Sequence, residues 1–169
     1  MFKKVDVRSL PDNLFKIVGD EWMLITAGNR EKYNMMTASW GFFGIMWGGP
    51  CAIACIRPQR YTMEFVERED YYTLSFYGDN KKIHSVCGKM SGRDVDKTKE
   101  CGMHPVFDEE TGAVYFEEAR CVLICRKKYD SPLVPEGFTD KSVLEKNYGA
   151  AMDLHHFVIG EIVSAYVKE

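Results

Sequence analysis

The sequence has no long hydrophobic run, no low-complexity tract and no large excess of charge of one sign. None of its apolar runs reaches the roughly 18 residues that a membrane-spanning helix needs. A formal net charge of -3 gives no electrostatic reason to expect binding to nucleic acid or to an anionic membrane. We therefore expect neither nucleic acid nor a membrane as a partner.

Several common catalytic motifs are also missing. The chain contains no GxGxxG after a first strand, no GxxxxGK[ST], no HExxH and no GxSxG. Their absence argues against a Rossmann dinucleotide site, a P-loop, a zinc protease and a serine hydrolase. Redox chemistry on a bound cofactor stays open, because the cofactor then supplies the reactive atom.

Cysteine is present six times, but not in a metal or disulfide pattern. There is no CxxC, and Cys51/Cys55 and Cys121/Cys125 are each four residues apart within apolar, strand-like runs. We expect buried, reduced thiols and no metal site. The N-terminal residues 1–6 lack the apolar stretch of a secretory signal, so the expected compartment is a reducing cytoplasm.

The length and pattern of the chain predict one domain over residues 1–169. Composition is that of an ordinary globular protein, with 46% hydrophobic and 28% charged residues. Alternating or apolar runs predict strands at 22–27, 33–40, 51–56, 71–76, 113–116, 119–127 and 157–167. Short helices are predicted at 61–68, 80–87 and 94–101, with Gly88 and Gly102 as stops. Without strict β-α-β alternation, this order predicts a mainly β fold, a barrel with short flanking helices.

The segment from Tyr33 to Thr62 is typical of a cofactor site. Pro58 should hold Arg57 extended at the end of a strand. Arg60 and Thr62 then lie where a helix begins, so that free N–H groups and the helix dipole favour an anion. A phosphate dianion suits two such arginines. The alternative is a pair of solvated surface arginines beside a helix cap.

Other candidate residues carry weaker signals. The hydroxyls of Thr37 and Ser39 flank a small residue, and Trp40 could stack on an aromatic ring or simply belong to the core. Lys89-Met-Ser-Gly92 could close over a phosphate or form a polar turn. A lone His155 before the last strand is more often structural than catalytic.

Taken in order, these segments carry a resemblance. They are Asn34-x-x-Thr37-Ala-Ser-Trp-Gly41, Ile56-Arg-Pro-x-Arg-Tyr-Thr62 after Pro50, Tyr72-Thr-Leu-Ser-Phe76, Lys89-x-Ser-Gly92, and His155 followed by Ile159-Gly-Glu-Ile162. The chain resembles the flavin reductase-like, FMN-binding split β-barrel family, and within it the flavoredoxin-type branch. The resemblance extends from about residue 13 to residue 167.

The resemblance implies FMN as cofactor and assigns a role to each matching position. Thr37, Ala38 and Ser39 would contact the isoalloxazine or ribityl chain, with Asn34 and Trp40 nearby. Arg57, Arg60, Tyr61 and Thr62 would hold the ribityl phosphate, and Lys89 and Ser91 would complete that site. His155 would lie on the nicotinamide side of the flavin, and no side chain is assigned firmly as a catalyst.

The implied function is an oxidoreductase that passes electrons through bound FMN, as a homodimer. Either NAD(P)H acts as a transient donor, as in flavin reductases, or the protein is an electron carrier with a redox protein partner. The Trp47-Gly-Gly-Pro50 segment lacks the Ser-x-x-Pro-Pro pattern of two-component reductases, which favours the flavoredoxin-like role. The alternative from another class is a non-catalytic split-barrel module that binds flavin or haem.

Overall fold

The computed structural model describes residues 1–169 and contains ten strands and five short α-helices. The strands are β1 (Phe2–Val5), β2 (Met23–Gly28), β3 (Tyr33–Ala38), β4 (Gly41–Met46), β5 (Gly49–Ile56), β6 (Tyr71–Phe76), β7 (Pro105–Phe107), β8 (Val114–Phe116), β9 (Cys121–Pro132) and β10 (His156–Lys168). The helices are α1 (Leu14–Lys16), α2 (Tyr61–Arg68), α3 (Lys81–Lys89), α4 (Lys97–Cys101) and α5 (Lys141–Tyr148).

An eight-stranded antiparallel sheet forms the body of the fold. Its order is β3-β2-β6-β9-β10-β5-β4, with β1 added to β10, while β7 and β8 make a separate two-stranded ribbon. The two ends of this order, β3 and β4, follow one another in the chain but share no ladder. The prediction of a mainly β, barrel-like fold with short flanking helices is confirmed. Strands β3 and β4 are the two edges of the sheet, and we call the interruption between these edges the split of the barrel.

Apolar side chains fill both faces of the sheet. Met36 and Ala38 of β3 belong to one buried cluster, together with Phe65 of α2. Met35 belongs to a second cluster, together with Ile83 of α3. The alternation predicted for this strand is therefore confirmed, and it places α2 and α3 on opposite sides of β3.

Some of the predicted helices and strands agree with the structure, and others differ from it or were missed. Helix 61–68, strand 71–76 and the β2–β3 hairpin are confirmed. The stop at Gly88 is wrong, since α3 continues to Lys89 and Gly88 does not adopt positive φ. Gly102 does cap α4, at φ 65. Both β4 and α5 were missed, because β4 is glycine-rich and mostly exposed and α5 buries only Tyr148.

The six cysteines are all free thiols, and all except the half-buried Cys101 are buried. The predicted burial of the strand cysteines is thus confirmed. None of the helices is both long enough and apolar enough to cross a bilayer.

Candidate functional site

A cleft lies where β3 and β5 end, beside the start of β10. We call this cavity of about 270 Å³ the Trp40 pocket; its lining is Met36, Thr37, Ala38, Ser39, Trp40, Cys55, Arg57, Arg60 and His155. The Trp40 side chain is 45% exposed, and its ring lies 4.8 Å from the ring of His155 with a tilt of 41°. The pocket therefore presents an aromatic surface suited to a flat ligand.

Thr37 is held in place by α3. Its Oγ1 lies 3.2 Å from Nδ1 of His84 and donates to the carbonyl oxygen of the same residue at 3.1 Å. His84 is buried, and its Nε2 has no hydrogen-bond partner. Burial lowers the pKa of His84 to about 4, and the nearby Lys81 ammonium acts in the same direction. A neutral imidazole thus fixes the Thr37 hydroxyl at the edge of the pocket.

His155 and Arg57 form a second polar group at the other side of the Trp40 pocket. Nδ1 of His155 lies 2.8 Å from the hydroxyl of Tyr148 on α5. Burial lowers the pKa of His155 to about 4, helped by the Arg57 cation. Arg57 itself donates to both carboxylate oxygens of Asp153, at 2.9 and 2.8 Å, and to the Asn147 carbonyl at 2.9 Å. The imidazole is therefore neutral at neutral pH, and the charge of Arg57 is balanced by Asp153.

A second cavity lies between the start of α2 and the end of α3. We call this space of about 180 Å³ the Lys97 pocket; its lining is Asn34, Gln59, Arg60, Tyr61, Thr62, Gly88, Lys89, Met90, Ser91, Arg93 and Lys97. Arg60 lines both pockets, so the two are neighbours. It is also the N-cap residue of α2, where no side chain caps the helix. The positive end of the α2 dipole therefore adds to the field in the Lys97 pocket.

Two of the cations that line the Lys97 pocket donate their hydrogen bonds to backbone carbonyls and pair with no carboxylate. Arg60 Nη2 donates to the Cys87 carbonyl at 3.3 Å. Lys97 Nζ donates to the carbonyls of Met35 and Cys87, at 2.8 and 3.2 Å, and the residue is only 4% exposed. Burial lowers the pKa of both Arg60 and Lys97. Lys97 is buried and Arg60 is half-buried, and desolvated cations without a counter-charge are costly, so the pocket suits an anion.

The loop after α3 packs tightly against β3. Asn34 Nδ2 donates to Thr62 Oγ1 at 2.9 Å, and both side chains are buried. A Cβ on Gly92 would come within 2.0 Å of Asn34 Oδ1, so the loop can approach this closely only with glycine there. The close approach brings Lys89 and Ser91, at the end of α3 and just beyond it, to the rim of the Lys97 pocket.

Every residue singled out in the sequence lines one of the two pockets. Thr37, Ala38, Ser39, Trp40, Arg57 and His155 line the Trp40 pocket; Asn34, Tyr61, Thr62, Lys89 and Ser91 line the Lys97 pocket; and Arg60 lines both. Arg57 and Arg60, which the sequence placed together at one phosphate, thus differ in surroundings. Only Arg60 reaches the Lys97 pocket, while Arg57 pairs with Asp153.

Four residues of the site were missed by sequence reasoning: His84, Lys97, Tyr148 and Asp153. Lys97 stands in a run of charged residues that is typical of an exposed surface. Its burial depends on the packing of α4 against α3 and β3, which no local pattern reveals. The one available signal was Asp153, an acid two residues before the candidate His155.

The chain is similar in sequence and in fold to known proteins. The family model described as flavin reductase like domain matches residues 18–169. A search of the curated proteins found no match.

Several solved structures share the fold. A flavoredoxin from Methanosarcina acetivorans is 20% identical, with a TM-score of 0.68 over 99% of this chain and 75% of that chain. An FMN-binding domain of flavin reductase-like enzymes from Shewanella baltica OS155 is 15% identical, with a TM-score of 0.70 over 99% and 77%. The NADH:FAD oxidoreductase SgcE6 of Streptomyces globisporus C-1027 is 17% identical, with a TM-score of 0.65 over 88% and 75%. At these identities the likeness establishes the split-barrel fold alone.

The two neutral histidines predict a loss of stability in mild acid. Their pKa values are about 4 in the folded state and near 6.5 when unfolded. Between these values the unfolded chain binds protons that the folded chain excludes, so the free energy of unfolding should fall as the pH drops from about 6.5 to about 4, by about 2–3 kcal/mol for each histidine. Urea unfolding at a series of pH values measures this.

Two histidine variants test which side chain causes the loss of stability in acid. His84→Gln should remove about half of the acid loss and leave the part that His155 contributes, whereas His104→Asn, at an exposed imidazole, should retain the full acid loss. A wild-type stability that is constant from pH 7 to pH 4.5 would contradict the burial of neutral histidines.

Proposed function

The chain belongs to the flavin reductase like domain family, and from this membership we propose that it is an FMN-binding oxidoreductase of the flavoredoxin type. In this proposal the isoalloxazine occupies the Trp40 pocket and the ribityl phosphate occupies the Lys97 pocket. FMN when bound would supply the redox chemistry, accepting electrons and passing them on. NADH or NADPH is proposed as a transient donor, with a redox protein as the alternative source.

The observation that carries the proposal is the pair of uncompensated cations, Arg60 and Lys97. A phosphate dianion would neutralise both of them at once, and the helix dipole of α2 would favour it further. Lys89 and Ser91 at the rim would add a cation and a hydroxyl. The structure supports a phosphate here more strongly than the two arginines of the sequence did, because the buried Lys97 has little access to water as an alternative partner.

The Trp40 pocket supplies the complementary half of the site. The small side chain of Ala38 leaves the backbone of β3 accessible to a ring. The hydroxyl of Thr37 is already oriented by His84. Trp40 and the neutral His155 would border the ring, and Tyr148 holds the imidazole in place. In this arrangement the chain positions the cofactor and excludes water, and no side chain has to act as an acid or base.

Two features favour a tightly held cofactor over a flavin that is exchanged as a substrate. Phosphate contacts from α2, α3 and α4 would surround the dianion on several sides. The Trp47-Gly-Gly-Pro50 segment, which forms the turn between β4 and β5, lacks the Ser-x-x-Pro-Pro pattern. We therefore favour a flavoredoxin-like carrier, and the NADH:FAD oxidoreductase neighbour is the reason to keep a nicotinamide donor in the test.

We further propose that the protein acts as a homodimer through β4. This strand and its turn expose four large apolar side chains: Phe42 is 56% exposed, Ile45 68%, Met46 41% and Trp47 62%. An apolar edge strand of this kind is normally covered by a partner. A second copy would bury it beside the Trp40 pocket, because β4 begins directly after Trp40.

The function is tested by the visible absorption spectrum of the purified protein, before and after anaerobic addition of NADH and then NADPH. We expect a bound-flavin spectrum. Bleaching by a nicotinamide identifies a reductase and its donor, whereas a flavin that stays oxidised until a protein reductant is added identifies a carrier. If added FMN produces no bound-flavin spectrum, the oxidoreductase proposal fails and the non-catalytic alternative, including a haem-binding module, takes its place.

The phosphate site is tested by Arg60→Ala and Lys97→Met. Each should weaken FMN binding by about 1.5–3 kcal/mol, a factor of roughly 10–150 in Kd, because a charge-assisted hydrogen bond is lost. Isothermal titration with FMN and with riboflavin measures this, and riboflavin, which lacks the phosphate, should bind the variants almost as well as the wild type.

Lys99→Met is the matched control, since Lys99 is an exposed lysine on the same helix, α4. Its affinity for FMN should equal that of the wild type. Equal losses for FMN and riboflavin in the Arg60 and Lys97 variants would show that these residues support the fold and not the phosphate.

The dimer is tested by sedimentation equilibrium. The wild type should sediment with twice the chain mass, and Ile45→Asp should sediment as a monomer because a buried charge at the interface is unpaired. Val143→Asp places the same charge on an exposed apolar residue of α5 and should leave the dimer intact. A monomeric wild type would remove β4 as a dimer surface.

A further inference from the structure

Two cysteines lie in contact directly beneath the Lys97 pocket. The sulfur atoms of Cys87 on α3 and Cys101 at the end of α4 are 3.9 Å apart, the one thiol–thiol hydrogen bond in the protein. Cys87 is fully buried and Cys101 is half-buried. The other four cysteines lie on strands β5 and β9. This pair is therefore different from Cys51/Cys55 and Cys121/Cys125, the pairs that are four residues apart in the sequence.

The geometry is close to that of a disulfide. A disulfide has an S–S distance of about 2.05 Å, so the two sulfur atoms, now in contact, would have to approach by about 2 Å for the bond to form. The two thiols differ in their exposure to solvent. Cys101 is partly exposed, whereas Cys87 is fully buried. An oxidant would therefore react first at Cys101, and Cys87 would complete the bond.

The same cysteine contacts the cations of the Lys97 pocket. The Cys87 carbonyl accepts hydrogen bonds from both Arg60 and Lys97. Lys97 opens α4, the five-residue helix that Cys101 ends. Within this short helix, one end is thus held by the Lys97 ammonium and the other by the Cys101 thiol, and both contacts are made to Cys87.

We propose that Cys87 and Cys101 are a redox modification site, at which a reversible intrachain disulfide fastens α4 to α3 beneath the Lys97 pocket. The reaction needs no flavin and goes beyond the proposed function. In a reducing compartment such a bond is transient and forms under oxidising conditions. Its expected effect is to restrain the helix that carries Lys97.

The oxidant is a small disulfide such as oxidised glutathione. The Cys101 thiolate attacks one sulfur of the reagent, breaking its S–S bond and releasing one thiolate. The Cys87 thiolate then attacks the Cys101 sulfur of the mixed disulfide and releases the second. Two electrons pass from the cysteine pair to the reagent, and the two thiol protons end on the two released thiols.

The test begins with the reduced full-length protein and an excess of oxidised glutathione at about pH 8.5, because burial raises the pKa of both thiols and the thiolate is the reactive form. We expect a mass lower by about 2 Da, since two hydrogens leave. Peptide mapping after alkylation should show one cross-link, between Cys87 and Cys101, that dithiothreitol reverses. A stable glutathione adduct on Cys101, or another pairing, would overturn the proposal.

Two cysteine-to-serine variants test which sulfur atoms form the disulfide. Cys101→Ser should show no loss of mass and no cross-link, while Cys51→Ser, the same change at a buried strand thiol, should form the cross-link as the wild type does. The wild-type cross-link map decides the pairing even if the Cys101 variant folds poorly.

Hydrogen exchange tests the effect on α4. In the oxidised wild type, amides of residues 97–102 should exchange about tenfold more slowly than in the reduced protein, because local opening of this helix is restrained. Amides of α5, which is remote from the pair, serve as the internal reference. Unchanged exchange in α4 of fully oxidised protein would overturn the claim that the bond fastens this helix.

Discussion

The split of the barrel between β3 and β4 is the constraint on which the rest of the site depends. The two strands follow one another in the chain, yet Ser39 and Trp40 separate them and no ladder joins them. The opening leaves the end of β3 without a strand neighbour on one side. The residues there, which a closed barrel would bury in a ladder, line a cleft instead, and β4 presents an apolar edge beside it.

The Lys97 pocket holds desolvated positive charge, which costs free energy of folding. Lys97 is buried among carbonyl dipoles and beside another cation, Arg60, so the protein retains two desolvated charges that nothing in the chain neutralises. Replacing a paired buried cation by an apolar residue is often neutral, but an unpaired one is a net cost to folding. Such a cost is typical of binding sites, where a ligand restores the balance. The same hydrogen bonds connect β3, α3 and α4, so the residues of the anion site also hold these three elements together.

How much of this could be predicted from the sequence differs from element to element. The period of Tyr61–Arg68 and the alternation of β3 are local patterns, and both were predicted correctly. Gly88 was misread because glycine ends a helix only when the chain needs positive φ there, and that need is set by packing. Strand β4 was missed because its two glycines and its exposed Phe42 and Ile45 match neither a buried nor a half-buried strand. Lys97 and the partners of Arg57 depend on contacts distant in sequence, which no single-sequence pattern contains.

The two pockets also differ in charge, and this difference fixes how a ligand could lie. At the Trp40 end, Arg57 is paired with Asp153 and His155 is neutral, so a second anion there would have to displace the Asp153 carboxylate. At the Lys97 end, positive charge is unbalanced. A flat ring that carries one terminal dianion therefore has a single favourable orientation, with the charged group between α2 and α3 and the ring against Trp40. The electrostatic asymmetry, more than any single hydrogen bond, links the aromatic cleft and the cation cluster into one site.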